Sequence, residues 1–190
     1  MLPPQFQPGL MQFSIERYHQ LVASGMLGPD DRIELIEGML VQKMTKSPRH
    51  VLIKNRLAVL LRSFVSTGYH LRNEDPVTIE VQQSEPEPDL AIVRGGVEMF
   101  AANHPTNRDV VFVAEIAVTS LAKDQARASV YAAGEIPLYV IVDATTNRFL
   151  VHQSPTPSGY QSVEAVTEFA IVLDGASVGT VLAESLFADV

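Results

Sequence analysis

Hydrophobic and polar positions along the chain follow a helical period in some stretches and a strand-like period in others. An apolar stripe predicts a first helix with Ser14 as its N-cap and a stop at Gly25. A second helix is predicted from Ser47 and Pro48, an N-cap residue followed by proline at the first helical position. Two more helices are predicted at 121–133 and near 182–187.

Short apolar runs predict the strands. Residues 110–118 form a hydrophobic run interrupted only by Glu115, which is typical of a strand buried on both faces. Residues 77–82 alternate between apolar and polar positions, which predicts a strand with one wet face. Further strands are predicted at 32–36, 39–44, 69–73, 89–93, 138–142, 148–152 and 161–166, with a short helical piece at 97–101, a loop at 154–159 and a turn at 174–175.

The order of these elements predicts a mixed α/β (α+β) fold with one central sheet flanked by helices. Because the chain has 190 residues and shows neither a repeat nor a linker, we expect one domain spanning 1–190, with residues 1–12 flexible.

Composition limits the class of protein and the cellular compartment that we expect. The content of hydrophobic residues is 46% and that of charged residues is 19%, as in ordinary globular proteins. Cysteine is absent, so disulfides, thiolate nucleophiles and cysteine-bound zinc are excluded. The sequence has neither a signal-peptide pattern at its start nor an apolar stretch of the ~20 residues that span a bilayer. We therefore expect a cytoplasmic protein without a membrane partner.

Charge is distributed unevenly along the chain, whose formal net charge is −8. Residues 38–73 contain no acidic residue but hold seven of the 14 lysines and arginines. An acidic catalytic centre beside a phosphate-binding surface would produce this asymmetry, and so would a solvated helix face. Under the first interpretation, the candidate nucleic-acid contacts are Lys46, Arg49, Lys54 and Arg56.

Two acidic residues near the middle of the chain are the main candidates for chemistry. Asp89 ends a proline-spaced loop that runs into an apolar strand, and Glu115 lies within the hydrophobic run described above. A carboxylate in such a run is costly unless it is paired. Metal binding, proton transfer and a buried salt bridge to an arginine each explain Glu115, and the residues alone leave these alternatives open.

His50 and Glu34 are weaker candidates. In the second predicted helix, His50 projects on the core-facing side, where it either reaches a pocket at the helix start or is a hydrogen-bonded core residue. Glu34 lies between apolar neighbours, so it faces the interior or forms the polar half of an edge strand.

Several motifs in a fixed order resemble the Uma family of restriction endonuclease-like proteins, which belongs to the PD-(D/E)XK nuclease superfamily. They are Arg-Ile-Glu-Leu-Ile-Glu-Gly at 32–38, Lys-Met-Thr-Lys-Ser-Pro-Arg-His at 43–50, Glu-Pro-Glu-Pro-Asp-Leu-Ala-Ile-Val at 85–93, Ala-Glu-Ile-Ala-Val-Thr-Ser-Leu at 114–121 and Tyr-Ala-Ala-Gly-Glu-Ile-Pro at 131–137.

The resemblance implies a restriction-endonuclease-like core and a metal-dependent site that cleaves phosphodiester bonds in DNA. It assigns Asp89 and Glu115 as metal-binding carboxylates, Glu34 as an additional acid and His50 as the histidine of the second helix. Mg²⁺ or Mn²⁺ is the expected cofactor, with the Ile116 carbonyl completing the site. Because nucleases that cut both strands often act in pairs, a homodimer is an open alternative.

The chain departs from this pattern where a catalytic lysine is expected. The superfamily position two residues after Glu115 is Ala117, and the family position four residues before Tyr131 is Arg127. Arginine stabilises phosphate charge but does not act as a base at neutral pH, and Lys123 lies one helical turn earlier. These departures leave a second interpretation open, a catalytically impaired nuclease fold that serves as a DNA-binding or interaction module.

Overall fold

The computed structural model describes residues 11–188. Within that range, the α-helices are α1 (Ile15–Ala23), α2 (Pro48–Phe64), α3 (Leu121–Ala133) and α4 (Ala183–Phe187). The strands are β1 (Ile33–Ile36), β2 (Met39–Gln42), β3 (Tyr69–Arg72), β4 (Leu90–Arg94), β5 (Val110–Ala117), β6 (Leu138–Asp143), β7 (Arg148–Thr156), β8 (Gly159–Val166), β9 (Glu168–Leu173) and β10 (Ala176–Leu182). The predicted flexibility of residues 1–12 falls mainly outside the described residues.

A mixed sheet lies at the centre of the fold. In the described part of the chain its six strands follow the order β3-β4-β5-β6-β7-β8. Strands β5 and β6 are parallel and are connected through α3, whereas every other neighbouring pair is antiparallel. This arrangement confirms the predicted mixed α/β fold class with helices around a central sheet, while β1 with β2 and β9 with β10 form two separate two-stranded sheets.

Hydrophobic residues cover both faces of this sheet. On one face, the apolar stripe of α2 (Ile53, Leu57 and Leu61) joins a core that includes residues of β9, β10 and α4. On the other face, Val130 and Tyr131 of α3 pack with alternate residues of β4, β5 and β6. All eight residues of β5 are buried, which confirms the prediction of a strand covered on both sides.

The predicted helix starts are confirmed by their caps. Ser14 Oγ accepts a hydrogen bond from the Arg17 N–H at 3.2 Å, and Ser47 Oγ accepts one from the His50 N–H at 3.2 Å. The cap at Ser47 fixes the first turn of α2, and the orientation of His50 with it.

The strand predicted at 77–82 is wrong. The chain reverses within this stretch, where Ile79 and Ser84 exchange backbone hydrogen bonds and residues Glu80–Gln82 form a 3₁₀ helix. Val77 and Ile79 are fully buried in the core on the α3 side. Their burial produces the alternating pattern although the segment is not a strand.

The C-terminal part of the chain contains more strand than predicted. Strand β7 continues to Thr156, through the first half of the loop predicted at 154–159. Strands β9 and β10 form an antiparallel hairpin around the predicted turn at Asp174 and Gly175. Phe169, Ile171 and Leu173 are the buried alternate residues of β9 and cover the core beside α2.

No helix in the described range is long and apolar enough to cross a membrane.

Candidate active site

A cavity of about 210 Å³ opens beside the start of β4 and the end of β5. Four parts of the chain line it: the β1–β2 hairpin, the start of α2, the segment before β4, and the segment that joins β5 to α3. The predicted site residues that line it are Glu34, Lys46, His50, Asp89, Glu115, Ile116, Lys123 and Arg127.

Asp89 and Glu115 are neighbours across the antiparallel pair β4–β5. Leu90 pairs with Ala114, so Asp89, one residue before Leu90, lies beside Glu115. The backbone N–H of Asp89 donates to Glu115 Oε2 at 3.3 Å, and the backbone N–H of Ile116 donates to Asp89 Oδ2 at 2.8 Å. The sheet therefore brings the two predicted carboxylates together at the cavity.

Asp89 contacts a lysine and a histidine. Lys46 Nζ lies 2.8 Å from Asp89 Oδ1, and His50 Nε2 lies 2.9 Å from Asp89 Oδ2. Burial raises the pKa of Asp89, but the hydrogen bonds and charges of His50 and Lys46 outweigh burial and lower the pKa to about 2. Asp89 is therefore an ionised carboxylate at neutral pH.

Glu115 has a different environment from that of Asp89. Its Oε1 accepts hydrogen bonds from Arg127 Nη1 at 2.7 Å and from the Tyr131 hydroxyl at 3.1 Å. Burial raises the pKa of Glu115; Arg127 opposes this rise, while nearby carboxylates, including Asp89, add to it. The two carboxyl groups thus differ strongly in their affinity for a proton.

Arg127 links Glu115 to Glu34. Its Nη2 donates to Glu34 Oε1, which lies 3.6 Å from Lys123 Nζ. Glu34 is fully buried, so of the two alternatives for this residue the structure selects the interior one. The buried salt bridge considered for Glu115 is present, and both Nη atoms of Arg127 are occupied by carboxylates.

Three acidic residues at the cavity were not among the predicted site residues: Glu74, Glu87 and Asp124. Asp124 accepts a hydrogen bond from Ser120 Oγ at 2.5 Å, and burial raises its pKa to about 6 against the opposing effects of Ser120 and Arg127. The sequence carried a signal for Asp124, because it precedes Arg127 by three residues and so lies on the same side of α3.

The predicted nucleic-acid residues have mixed placements. Arg49 Nη2 is 3.5 Å from Asn147 Oδ1, beside the turn between β6 and β7. The structure does not support Lys54 and Arg56 as nucleic-acid contacts. Lys54 is 6% exposed and paired with Glu74, and Arg56 donates to the backbone carbonyls of Leu186 and Ala188.

These contacts also explain the acid-free segment. Its lysines pair with carboxylates just outside the segment: Lys43 with Glu87, Lys46 with Glu74 and Asp89, and Lys54 with Glu74. The uneven charge along the sequence therefore corresponds in part to ion pairs in the fold.

The donor set at the cavity fits a hard divalent cation. The described residues contain no group of three or more acidic, histidine or cysteine side chains arranged around one metal position. Mg²⁺, however, is commonly bound through one or two carboxylates, with water and phosphate as its other ligands. The carboxylates of the cross-strand neighbours Asp89 and Glu115 match that requirement. The Ile116 carbonyl stays a proposed ligand.

Comparisons with known proteins agree with this fold. A crystal structure described as "a putative nuclease belonging to DUF820", from Anabaena variabilis ATCC 29413, has a TM-score of 0.73 to this chain and 16% sequence identity, and the match covers 93% of this chain and 98% of that one. No curated protein matches the chain. Residues 15–183 match the model of the Uma2 family, described as "Putative restriction endonuclease", and because this match spans most of the chain, the protein belongs to the Uma2 family.

Proposed function

We propose that the protein is a metal-dependent endonuclease that hydrolyses phosphodiester bonds in DNA. The observation that carries this proposal is the placement of Asp89 and Glu115 as cross-strand neighbours at a cavity large enough for a phosphate group. The family description and the nuclease-like fold support it.

In the proposed reaction, a water oxygen forms a bond to phosphorus while the bond from phosphorus to one ester oxygen breaks. The departing oxygen takes up a proton, and the products are a hydroxyl end and a phosphate monoester. A Mg²⁺ or Mn²⁺ ion held by Asp89 and Glu115 would supply Lewis-acid activation of the phosphate and of the water.

The other residues at the cavity have distinct proposed roles. His50 orients Asp89 through the 2.9 Å contact to Oδ2. Arg127 is 8% exposed and its two Nη atoms donate to Glu115 and Glu34, so its proposed role is to position these carboxylates. Lys123 is about one-third exposed at the cavity, where its ammonium group can meet a phosphate oxygen.

One observation favours the second candidate function, a nuclease fold that binds DNA or a partner without cleaving it. Both carboxylates already have protein cations as partners, Lys46 at Asp89 and Arg127 at Glu115, so neither requires a metal ion to balance its charge.

A dimer and a cytoplasmic location also stay predictions.

The deciding experiment incubates supercoiled plasmid, single-stranded DNA and RNA with the protein and Mn²⁺. Nicked plasmid is expected from the wild type and from Glu164→Ala, which removes an exposed carboxylate on β8. The isosteric variants Asp89→Asn and Glu115→Gln are expected to lose cleavage by a factor of about 100 or more.

Melting temperature supplies an independent test of the metal site. Mn²⁺ is expected to raise the melting temperature of the wild type but not that of Asp89→Ala. Equal shifts in the two proteins would exclude the metal site. A shift without cleavage would select the second candidate function, and cleavage of RNA alone would change the substrate.

A further inference from the structure

The proposed site needs a cationic donor for the phosphate group, and the two expected positions do not supply one. Ala117 has no polar side chain, and Arg127 is only 8% exposed, with its Nη atoms donating to the buried carboxylates of Glu115 and Glu34. The lysines that line the cavity are Lys43, Lys46 and Lys123. In the ion pairs of the described residues, Lys46 is the one that contacts a proposed metal-binding carboxylate, that of Asp89.

Lys46 lies immediately before Ser47, the N-cap of α2, and its amino group lies between two carboxylates. Its Nζ is 2.8 Å from Asp89 Oδ1 and 2.9 Å from Glu74 Oε1. Its side chain is 27% exposed, whereas that of Asp89 is 6% exposed. The lysine thus reaches from the open side of the cavity to the buried carboxylate.

Glu74 is itself held in place from the protein interior. Its carboxylate pairs with the ammonium group of Lys54, which is buried in the middle of α2. Its backbone is in the left-handed region with φ of 60°, and its N–H donates to the Pro88 carbonyl at 3.2 Å. A non-glycine residue adopts this conformation only where surrounding contacts hold it.

The result is a chain of alternating charges that runs from α2 to the cavity. Its members are Lys54, Glu74, Lys46 and Asp89, in that order of contact. Lys54 lies one helical turn after His50, which contacts the other oxygen of Asp89. Lys54 is buried, and its ion pair in the described residues holds the Glu74 carboxylate next to the cavity. This contact points to a positioning role for Lys54.

We propose that Lys46 binds phosphate in this site in addition to Lys123 and that Glu74 and Lys54 are positioning residues for Lys46. This inference rests on the proposed nuclease function. An ammonium group has three donors, so Lys46 can keep its bond to Glu74 while donating to a phosphate oxygen. Asp89 Oδ1 is then an oxygen for which Lys46 and a divalent cation compete.

Metal affinity tests the competition without depending on catalysis. Lys46→Met removes the competing ammonium group, so the Mn²⁺ concentration that gives half of the full shift in melting temperature is expected to fall several-fold relative to wild type. The control, Arg62→Met, removes an exposed cation from α2 and is expected to leave this concentration unchanged. An unchanged value for Lys46→Met would overturn the competition at Asp89.

Cleavage rate at saturating Mn²⁺ tests the phosphate role. Lys46→Met is expected to lower the rate by about 100-fold, the usual effect of removing one donor to a developing negative charge, and Lys46→Arg is expected to recover part of it. Glu74→Gln is expected to lower the rate by about 10-fold. The double variant, which carries Lys46→Met and Glu74→Gln, is expected to be no slower than Lys46→Met, because both changes act through the amino group of Lys46.

The outcomes separate the two proposals. If the wild type cleaves and Lys46→Met cleaves as fast, the role of Lys46 is overturned and the nuclease function stands. Effects of the two single changes that multiply in the double variant would overturn Glu74 as a positioning residue. A wild type that binds Mn²⁺ but cleaves nothing would overturn both proposals.

Discussion

Arg127 and Glu115 form a buried ion pair in which the guanidinium occupies only one oxygen of the carboxylate. Arg127 Nη1 donates to Glu115 Oε1 at 2.7 Å, while Oε2 accepts from the backbone N–H of Asp89 at 3.3 Å. The pair therefore balances charge inside the sheet and still directs an oxygen toward Asp89. A structural salt bridge and a metal-binding carboxylate are compatible in this geometry.

The first prediction concerns the stability that Arg127 provides. Arg127→Met leaves the buried carboxylates of Glu34 and Glu115 without their shared partner, so we expect the free energy of unfolding to fall by about 3 kcal/mol or more. Urea denaturation measures this change. Arg148→Met, at an exposed position of β7, is the control and is expected to stay within about 0.5 kcal/mol of wild type. Equal losses in the two variants would contradict the prediction.

The second prediction separates a DNA contact from a structural arginine. Arg49→Ala is expected to weaken DNA binding and to lower the slope of log affinity against log salt concentration by about 1, because one phosphate contact is lost. Arg56→Ala is expected to keep that slope, because Arg56 donates to the carbonyls of Leu186 at 2.9 Å and Ala188 at 2.6 Å at the end of α4.

Fluorescence anisotropy at several salt concentrations measures these slopes. The melting temperature is expected to fall for Arg56→Ala, since two carbonyls at a helix end lose their donor. A salt slope that changes in Arg56→Ala but not in Arg49→Ala would reverse the assignment.

The third prediction concerns acid sensitivity through His152. This residue is 4% exposed, lies beside the rings of Tyr139 and Tyr160, and has its Nδ1 3.1 Å from the Leu150 carbonyl. Burial lowers its pKa from the ordinary value of 6.5, against the opposing effect of backbone hydrogen bonds. As the pH falls below 6.5, His152 takes up a proton in the unfolded chain before it does so in the folded protein.

The contribution of His152 to stability is therefore full above pH 6.5 and is lost as the pH falls toward the lower pKa of the folded state. His152→Gln is expected to lose less stability than wild type between pH 7.5 and about pH 5.5. His104→Gln, at an exposed position, should behave like wild type. Urea midpoints at each pH measure the difference, and identical slopes in all three proteins would refute it.

The fourth prediction concerns the contact between the C-terminal hairpin and α2. A Cβ added at Gly179 of β10 would lie 2.4 Å from ring atoms of Phe64, which is closer than real Cβ contacts. Gly179→Ala is therefore expected to lower the free energy of unfolding by about 1–3 kcal/mol through overpacking. Gly28→Ala is the control, because its Cβ would meet only Asp31 at 3.9 Å. Similar midpoints for the two variants would show that the hairpin adjusts freely.

Local patterns were sufficient to predict most of the fold. The periods of α2, α3 and β5 recur in the structure because each of these elements buries one stripe or both faces against the same sheet. The pattern failed at 77–82, where alternating residues are buried within a chain reversal rather than in a strand. In β9, Ala170 and Val172 lie between Phe169, Ile171 and Leu173, so the sequence shows a continuous apolar run and the alternation of buried and exposed residues appears only in the structure.

The sequence by itself determined the helices, most strands and the choice of Asp89 and Glu115, because periodicity and an acid in an apolar run are local properties. Only the tertiary structure decided which charges meet. Arg127 and Glu34 are separated by 93 residues, and Lys46 and Asp89 by 43. These pairings depend on strand register and helix orientation, which place side chains from distant segments in one cavity and which no local spacing encodes.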